Sequence, residues 1–201
     1  MKVRELSIPG AYAFTPEVFH DDRGAFTSPF HEDAFGETLG RPLFPVAQAS
    51  TSRSRRGVVR GVHFTALPGS MAKYVQCAGG RALDFVIDVR AGSPTFGRSE
   101  AVELAADEGT ALYLPIGVGH LFVALEDDTT MVYLLSAAYR AEKERAVHPL
   151  DPQLSLELPA GLELSMSERD RTAPTLADAL AQGLLPDYGA CLAEETGDGR
   201  D

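Results

Sequence analysis

The sequence predicts an all-β protein, an antiparallel sandwich or barrel built as one domain. Three observations carry that expectation. Between residues 57 and 136, short segments rich in Val, Leu, Phe and Tyr follow one another at close spacing. Gly, Pro, Asp or Ser punctuates the gaps, as turns between strands require. No helical pattern intervenes, so the strand–helix alternation of a parallel sheet is missing, as is any G-x-G-x-x-G or P-loop motif.

Taken in order, the first expected element is a short helix over 31–37 (HEDAFGE). Strands are expected at 57–64 (GVVRGVHF), 73–77 (KYVQC), 81–90 (RALDFVIDVR) and 100–104 (EAVEL). Three more follow at 111–115 (ALYLP), 120–125 (HLFVAL) and 130–136 (TMVYLLS). A second helix is expected over 174–184 (PTLADALAQGL), with Pro174 near its start and Gly183 near its end. The domain is expected to occupy 1–190. The end of the chain, 191–201, is acidic and Gly-rich beyond Glu194 and is expected to be a disordered tail.

At 201 residues and 44% hydrophobic composition, the chain can bury a sizeable core. No apolar run approaches the roughly 20 residues that cross a bilayer, and the first residues carry no apolar signal segment. A cytoplasmic protein is therefore expected. Cys77 and Cys191 match no metal or redox spacing and read as two free thiols. A formal net charge of −11 argues against nucleic acid and anionic membranes as partners. It leaves room for a small anionic ligand, because a few local arginines can hold a diphosphate bidentately. Basic residues do gather with other functional groups between positions 53 and 98.

Alternation along 81–90 puts Leu83, Phe85, Ile87 and Val89 on one face and Asp84, Val86, Asp88 and Arg90 on the other. A lone strand of this kind would read as having a solvated outer face. Other strands also carry functional groups among apolar neighbours: His63, Lys73, His120 and Tyr133. A polar-lined lumen accounts for all of them together, and such an interior is where a small ligand binds.

From R-G-V-H-F (60–64) onward the sequence resembles a known family, the dTDP-4-keto-6-deoxyhexose 3,5-epimerases of the rhamnose and antibiotic-sugar pathways. The resemblance runs from about residue 12 to 188. It rests on D-D-R-G-A-F (21–26), P-V-A-Q (45–48), R-G-V-H-F, A-K-Y-V (72–75), D-F-V-I-D-V-R (84–90) and G-S-P-T-F-G (92–97). L-P-I-G-V-G-H-L-F (114–122), Y-x-x-E-x-E (139–144) and S-E-R-D (167–170) complete it. One block alone is weak; nine in family order are specific.

The resemblance implies a cupin-type jelly-roll barrel with a few peripheral helices. It also implies a homodimer and a site that needs neither metal nor cofactor. His63 matches the family's catalytic base, Asp170 the carboxylate paired with it, Tyr133 the general acid, and Lys73 the residue near the ketone oxygen. Arg23, Gln48, Arg60, His120 and Glu144 match nucleotide- or sugar-contacting positions, and Tyr139 a position stacking on thymine. Phe26, Asp84 and Arg169 are added as substrate-binding candidates from the same blocks. His20, His31 and His148 fall outside the matched positions.

The chemistry asks for such a set. In a 4-ketohexose the protons on carbons 3 and 5 both lie α to the carbonyl. Histidine titrates nearest neutrality and serves as base. A carboxylate on its other ring nitrogen fixes the tautomer, and a lysine can stabilise charge developing on the ketone oxygen. Inversion needs a second group on the opposite face. One tension remains, because Arg60 and His63 are three apart and a regular strand would point them to opposite faces. Either a bulge at Gly61 re-aims one of them, or Arg60 serves another part of the site.

Several positions depart from the rhamnose-pathway pattern. Ser28 stands for the usual Glu, Ser50 for Asn and Arg169 for Lys, and 149–152 reads PLDP. These changes resemble the antibiotic-sugar branch, whose members invert carbon 3, carbon 5 or both. Two other readings share the fold: a sugar-nucleotide 3,4-ketoisomerase, which typically uses paired histidines, and a non-catalytic nucleotide-sugar binding protein. A metal-dependent cupin would need an H-x-H pair, and the sequence around His63 has none.

Overall fold

A computed structural model describes residues 1–197. Its first strands are β1 (Lys2–Glu5), β2 (Tyr12–Thr15), β3 (Val18–Asp21), β4 (Gly24–Thr27), β5 (Gln48–Ser54), β6 (Val59–Thr65) and β7 (Lys73–Gly79). There follow β8 (Arg81–Ile87), β9 (Ser99–Ala105), β10 (Ala111–Leu114), β11 (Gly119–Ala124), β12 (Thr129–Leu135) and β13 (Glu144–Ala146). The helices are α1 (Glu32–Leu39), α2 (Glu168–Arg171), α3 (Leu176–Ala181) and α4 (Tyr188–Thr196).

Two antiparallel sheets face each other as a cupin-like jelly roll. One runs β1-β2-β10-β7-β12-β5 and the other β13-β6-β11-β8-β9; β3 and β4 form a separate hairpin. Period-two alternation divides each strand between two environments. Inward residues such as Val75, Cys77, Val86, Leu112, Phe122 and Met131 fill the space between the sheets. Outward residues of the smaller sheet, among them Val62, Phe64, Phe85, Ile87 and Leu121, pack under Leu154, Leu176 and Ala179 from the C-terminal third. On the larger sheet, Phe14, Tyr74 and Tyr113 are covered by Phe35 of α1 and Cys191 of α4. A fully buried side chain of this size is worth about 1.5–3 kcal/mol relative to exposure. Both sheets are thus buried on two faces over most of their area, which explains their near-continuous apolar runs.

The seven expected strands all exist, each displaced by at most three residues at either end. The expected helices appear as α1 and a shortened α3. Three readings need correction. Strand β8 stops at Ile87, so Asp88 and Arg90 do not line the lumen. They form a buried pair in the following loop, with Arg90 Nε 2.9 Å from Asp88 Oδ1 and Ser93 and Thr95 hydroxyls on the other carboxylate oxygen. These donors outweigh the burial that raises the Asp88 pKa and hold it below the usual carboxylate range.

The expected tail is in fact helical through Thr196. Asp187 caps α4 by accepting from the Ala190 N–H, and Cys191 is buried beneath it. Glu195 accepts from the Tyr113 hydroxyl and Arg41, and takes the Ile116 N–H at 2.7 Å. Residues 198–201 of the expected tail lie outside the described residues. Finally, β1 to β5 and β13 were not expected at all. Both cysteines are free and buried. Among the described residues no helix is long and apolar enough to cross a membrane.

Candidate active site

Toward one end of the barrel the lumen changes from apolar to polar and leaves a cavity of about 220 Å³. Strand β6 supplies Arg60 and His63, β7 Lys73, β11 His120 and β12 Tyr133. Tyr139 and Glu144 complete its polar wall, and Met71, Phe122 and Leu135 its apolar one.

The parity problem of Arg60 and His63 is resolved by a bulge. On β11, His120 and Phe122 are two apart, yet their partners on β6, His63 and Arg60, are three apart. The extra residue lets both side chains face the cavity. Gly61 makes this possible. It sits at φ +135, and a Cβ there would lie 2.5 Å from the His120 carbonyl oxygen and the Leu121 Cα. No other residue fits that approach.

His63 Nε2 lies 2.7 Å from Asp170 Oδ1, bringing together residues 107 apart in sequence. The Ser167 hydroxyl caps α2 by accepting from the Asp170 N–H at 3.1 Å, which fixes the carboxylate under β6. Burial pushes the Asp170 pKa up, but the His63 hydrogen bond and charge, Ser167 and Arg169 outweigh it and hold it low. An ionised carboxylate only accepts, so the hydrogen resides on Nε2 and Nδ1 remains the basic nitrogen. The Asp170 side chain is 3% exposed and that of His63 28%, so the imidazole keeps access to the cavity.

A second carboxylate–imidazole pair lies beside the first. His120 Nε2 is 2.7 Å from Asp84 Oδ2, and both residues are buried. Asp84 Oδ1 has no hydrogen-bond partner. Lys73 is buried, and desolvation pushes its ammonium pKa down against the raising pull of Glu144 and Asp84. The Tyr133 hydroxyl lies 3.2 Å from Ser52 Oγ, and its ring meets His120 edge-on at 6.1 Å. Burial pushes the Tyr133 phenol pKa well up, with Ser52 and Arg60 lowering it and Asp84 raising it.

Two other expected site residues touch this wall. Gln48 Oε1 accepts from the Tyr139 N–H at 2.8 Å, and Arg169 Nη2 stands 3.8 Å from Glu144 Oε2. Arg23 and Phe26 are not brought in. They sit on the β3–β4 hairpin, where Arg23 pairs with Asp21 and Phe26 is 69% exposed beside Phe19. Among the described residues, no group of three or more His, Cys, Asp or Glu side chains is placed to hold a metal ion.

Residues 5–178 match the family model described as dTDP-4-dehydrorhamnose 3,5-epimerase. The chain belongs to that family. It is 49% identical over 191 residues to a dTDP-4-dehydrorhamnose 3,5-epimerase of Streptomyces griseus, covering 95% of this chain and 94% of that one. It superposes with TM-score 0.91 on ChmJ, a 3'-monoepimerase from Streptomyces bikiniensis solved with dTDP-quinovose, at 45% identity and 96% coverage of both chains. NovW, a 4-keto-6-deoxy sugar epimerase from the novobiocin gene cluster of Streptomyces spheroides, gives TM-score 0.91 at 46% identity over 95% of each chain.

Within this epimerase family frame, the sequence reading missed the apolar wall and the serines of β5. Met71, Phe122 and Leu135 carry no chemical signature and are cavity residues only through the fold. Ser52 and Ser54 left no periodic trace, because every residue of 48–54 except Ala49 is polar.

Proposed function

We propose that this protein is an isomerase that inverts carbon 3, carbon 5 or both in a dTDP-4-keto-6-deoxyhexose, in deoxysugar biosynthesis of the antibiotic type. The observation that carries the reading is the origin of the acid and base. His63, paired with Asp170, comes from the five-stranded sheet, while Tyr133 comes from the six-stranded sheet across the same cavity. A sugar ring held between the sheets presents opposite faces to the two groups, which is what inversion demands. The cavity falls below the roughly 300–1,000 Å³ usual for drug-sized ligands. It suits the hexose, with the nucleotide toward the mouth where the exposed Tyr139 ring can stack on thymine.

His63 Nδ1 removes the proton α to the ketone, and Asp170 stabilises the imidazolium that forms. Lys73 meets the oxygen as enolate charge develops on it, in a buried setting where an ammonium is worth more than in water. Tyr133 then protonates the carbon from the other face. Arg60, His120, Gln48, Glu144, Asp84 and Arg169 hold the sugar and diphosphate or the side chains that do.

The test is incubation with dTDP-4-keto-6-deoxyglucose in deuterated buffer containing a chelator, read by proton NMR. Deuterium is expected at carbon 3, carbon 5 or both, at an undiminished rate with chelator present. A substrate that keeps both protons, or an activity restored only by a divalent ion, contradicts the reading.

The protein is further proposed to work as a homodimer in the cytoplasm. Free buried thiols suit a reducing compartment. The β3–β4 hairpin displays the cross-strand aromatics Phe19 and Phe26 to solvent with Arg23 at its turn, and a second copy would cover them. Light scattering at micromolar concentration should return twice the 21.5 kDa chain mass; a monomer mass overturns this part.

A further inference from the structure

Strand β5 contributes nothing to the cavity wall itself, yet its inward serines each hold a site side chain. Burial alternates along it, with Gln48, Ser50 and Ser52 half-buried, Ser54 buried, and Ala49, Thr51 and Arg53 exposed. Ser50 Oγ accepts from Gln48 Nε2 at 2.8 Å. Ser54 Oγ accepts from Arg60 Nε at 3.1 Å. Ser52 Oγ stands 3.2 Å from the Tyr133 hydroxyl oxygen, one diagonal step from Ser50, the direct cross-strand partner of Tyr133.

We propose that Ser52 is a positioning residue for proton delivery by Tyr133, and that it donates its hydroxyl hydrogen to the phenol oxygen. This rests on the reading of Tyr133 as the general acid. Two hydroxyls at hydrogen-bond distance share one hydrogen between them, so the direction matters. If Tyr133 donates to Ser52, its own hydrogen is turned away from the sugar. If Ser52 donates, the phenol hydrogen is free to lie along the remaining direction, into the cavity. The same direction serves the step that follows. When the phenol O–H breaks and the hydrogen bonds to the enolate carbon, the electron pair stays on the phenol oxygen and the enolate returns to the ketone. The resulting phenolate is buried, and Ser52 is already placed to donate to it. The phenolate regains its proton from solvent, and His63 loses to solvent the one it abstracted.

The setting makes that donor matter. Desolvation disfavours the phenolate, and the Asp84 charge adds to the penalty. A hydrogen bond to a charged group is typically worth a factor on the order of 10 to 100. A serine at 52 also costs little structurally, since it is a small polar residue on an edge strand with one face in solvent.

The experiment compares Ser52→Ala and Ser52→Thr with the unaltered protein, measuring inversion and solvent deuterium exchange at the same carbon. Ser52→Ala is expected to slow inversion by roughly 10-fold to 100-fold. Exchange initiated by His63 should fall far less, so exchange should outrun inversion, with KM little changed. Ser52→Thr, which restores a hydroxyl, should recover most of the inversion. Inversion at the unaltered rate in Ser52→Ala overturns the assignment. So does a parallel loss of exchange and inversion, which would mark a role in folding or binding instead. Tyr133→Phe separates the two layers: if it loses inversion while Ser52→Ala does not, only the role of Ser52 falls. If Tyr133→Phe inverts normally, the acid reading fails and Ser52 with it.

Discussion

His63→Ala is expected to abolish both epimerisation and solvent exchange, because it removes the group that starts the reaction. The side chain lies in the cavity wall with Nε2 held by Asp170, which leaves Nδ1 as the basic nitrogen. Other cavity groups are poor substitutes. Lys73 is assigned to the ketone oxygen rather than to a carbon-bound proton, although burial pushes its ammonium pKa down. Tyr133 is pushed far up and stays protonated near neutrality. Loss of a general base typically costs about 10²–10⁴-fold, and loss of the ring also removes the partner of a buried carboxylate.

That second effect needs its own control. Asp170 without His63 is a buried acceptor left without that donor, which costs about 1–3 kcal/mol of stability or more for a charged group. His63→Gln keeps a donor within the same space and should fold like the unaltered protein while lacking a basic nitrogen. Deuterium wash-in followed by NMR, with thermal unfolding measured alongside, distinguishes lost chemistry from lost fold. Efficient exchange in a folded His63 variant would remove this residue from the role of base.

How much of this was legible in sequence follows from what each strand has to satisfy. β7, β8, β11 and β12 lie in the interior of sheets covered on both faces, so their apolar runs announce them. β5 is different. Its inward face serves polar groups and its outward face meets solvent at a sheet edge, so QASTSRS shows no apolar pattern despite its strict alternation of burial. α4 was hidden by the acidic, Gly-rich residues that follow it, although Asp187 at its start and Gly197 at its end are ordinary cap residues.

The site was legible in a different way. Composition and periodicity showed polar side chains on inward positions of several strands, but not which ones meet. The pairing of His63 with Asp170 across 107 positions depends on α2 lying under β6, and only family resemblance pointed to it from sequence. The orientation of Arg60 depended on a bulge that a glycine permits but does not announce. Arg23 and Phe26 matched site positions in sequence and stand on a hairpin outside the cavity of their own chain.

Tyr133→Phe is expected to separate the two halves of the reaction. The substitution keeps the ring, so the edge-on contact with His120 at 6.1 Å and the packing against the interior cluster persist. What disappears is one hydroxyl and its hydrogen bond to Ser52, whose half-buried position leaves Ser52 able to bond water. Fold and binding should therefore be nearly unchanged. The enolate still forms, because His63 on the opposite sheet and Asp170 on α2 beneath it are untouched. Its proton exchanges with solvent from the imidazolium and returns from the same face, giving deuterium at the abstracted carbon with the original configuration. Inversion should fall by about 10²–10⁴-fold, the usual worth of a general acid, while exchange persists. NMR of the recovered sugar in deuterated buffer reads both quantities in one sample. Near-normal inversion in Tyr133→Phe would assign the second proton to another group lining the cavity. Equal loss of exchange and inversion would instead mean that the hydroxyl is needed before the enolate forms.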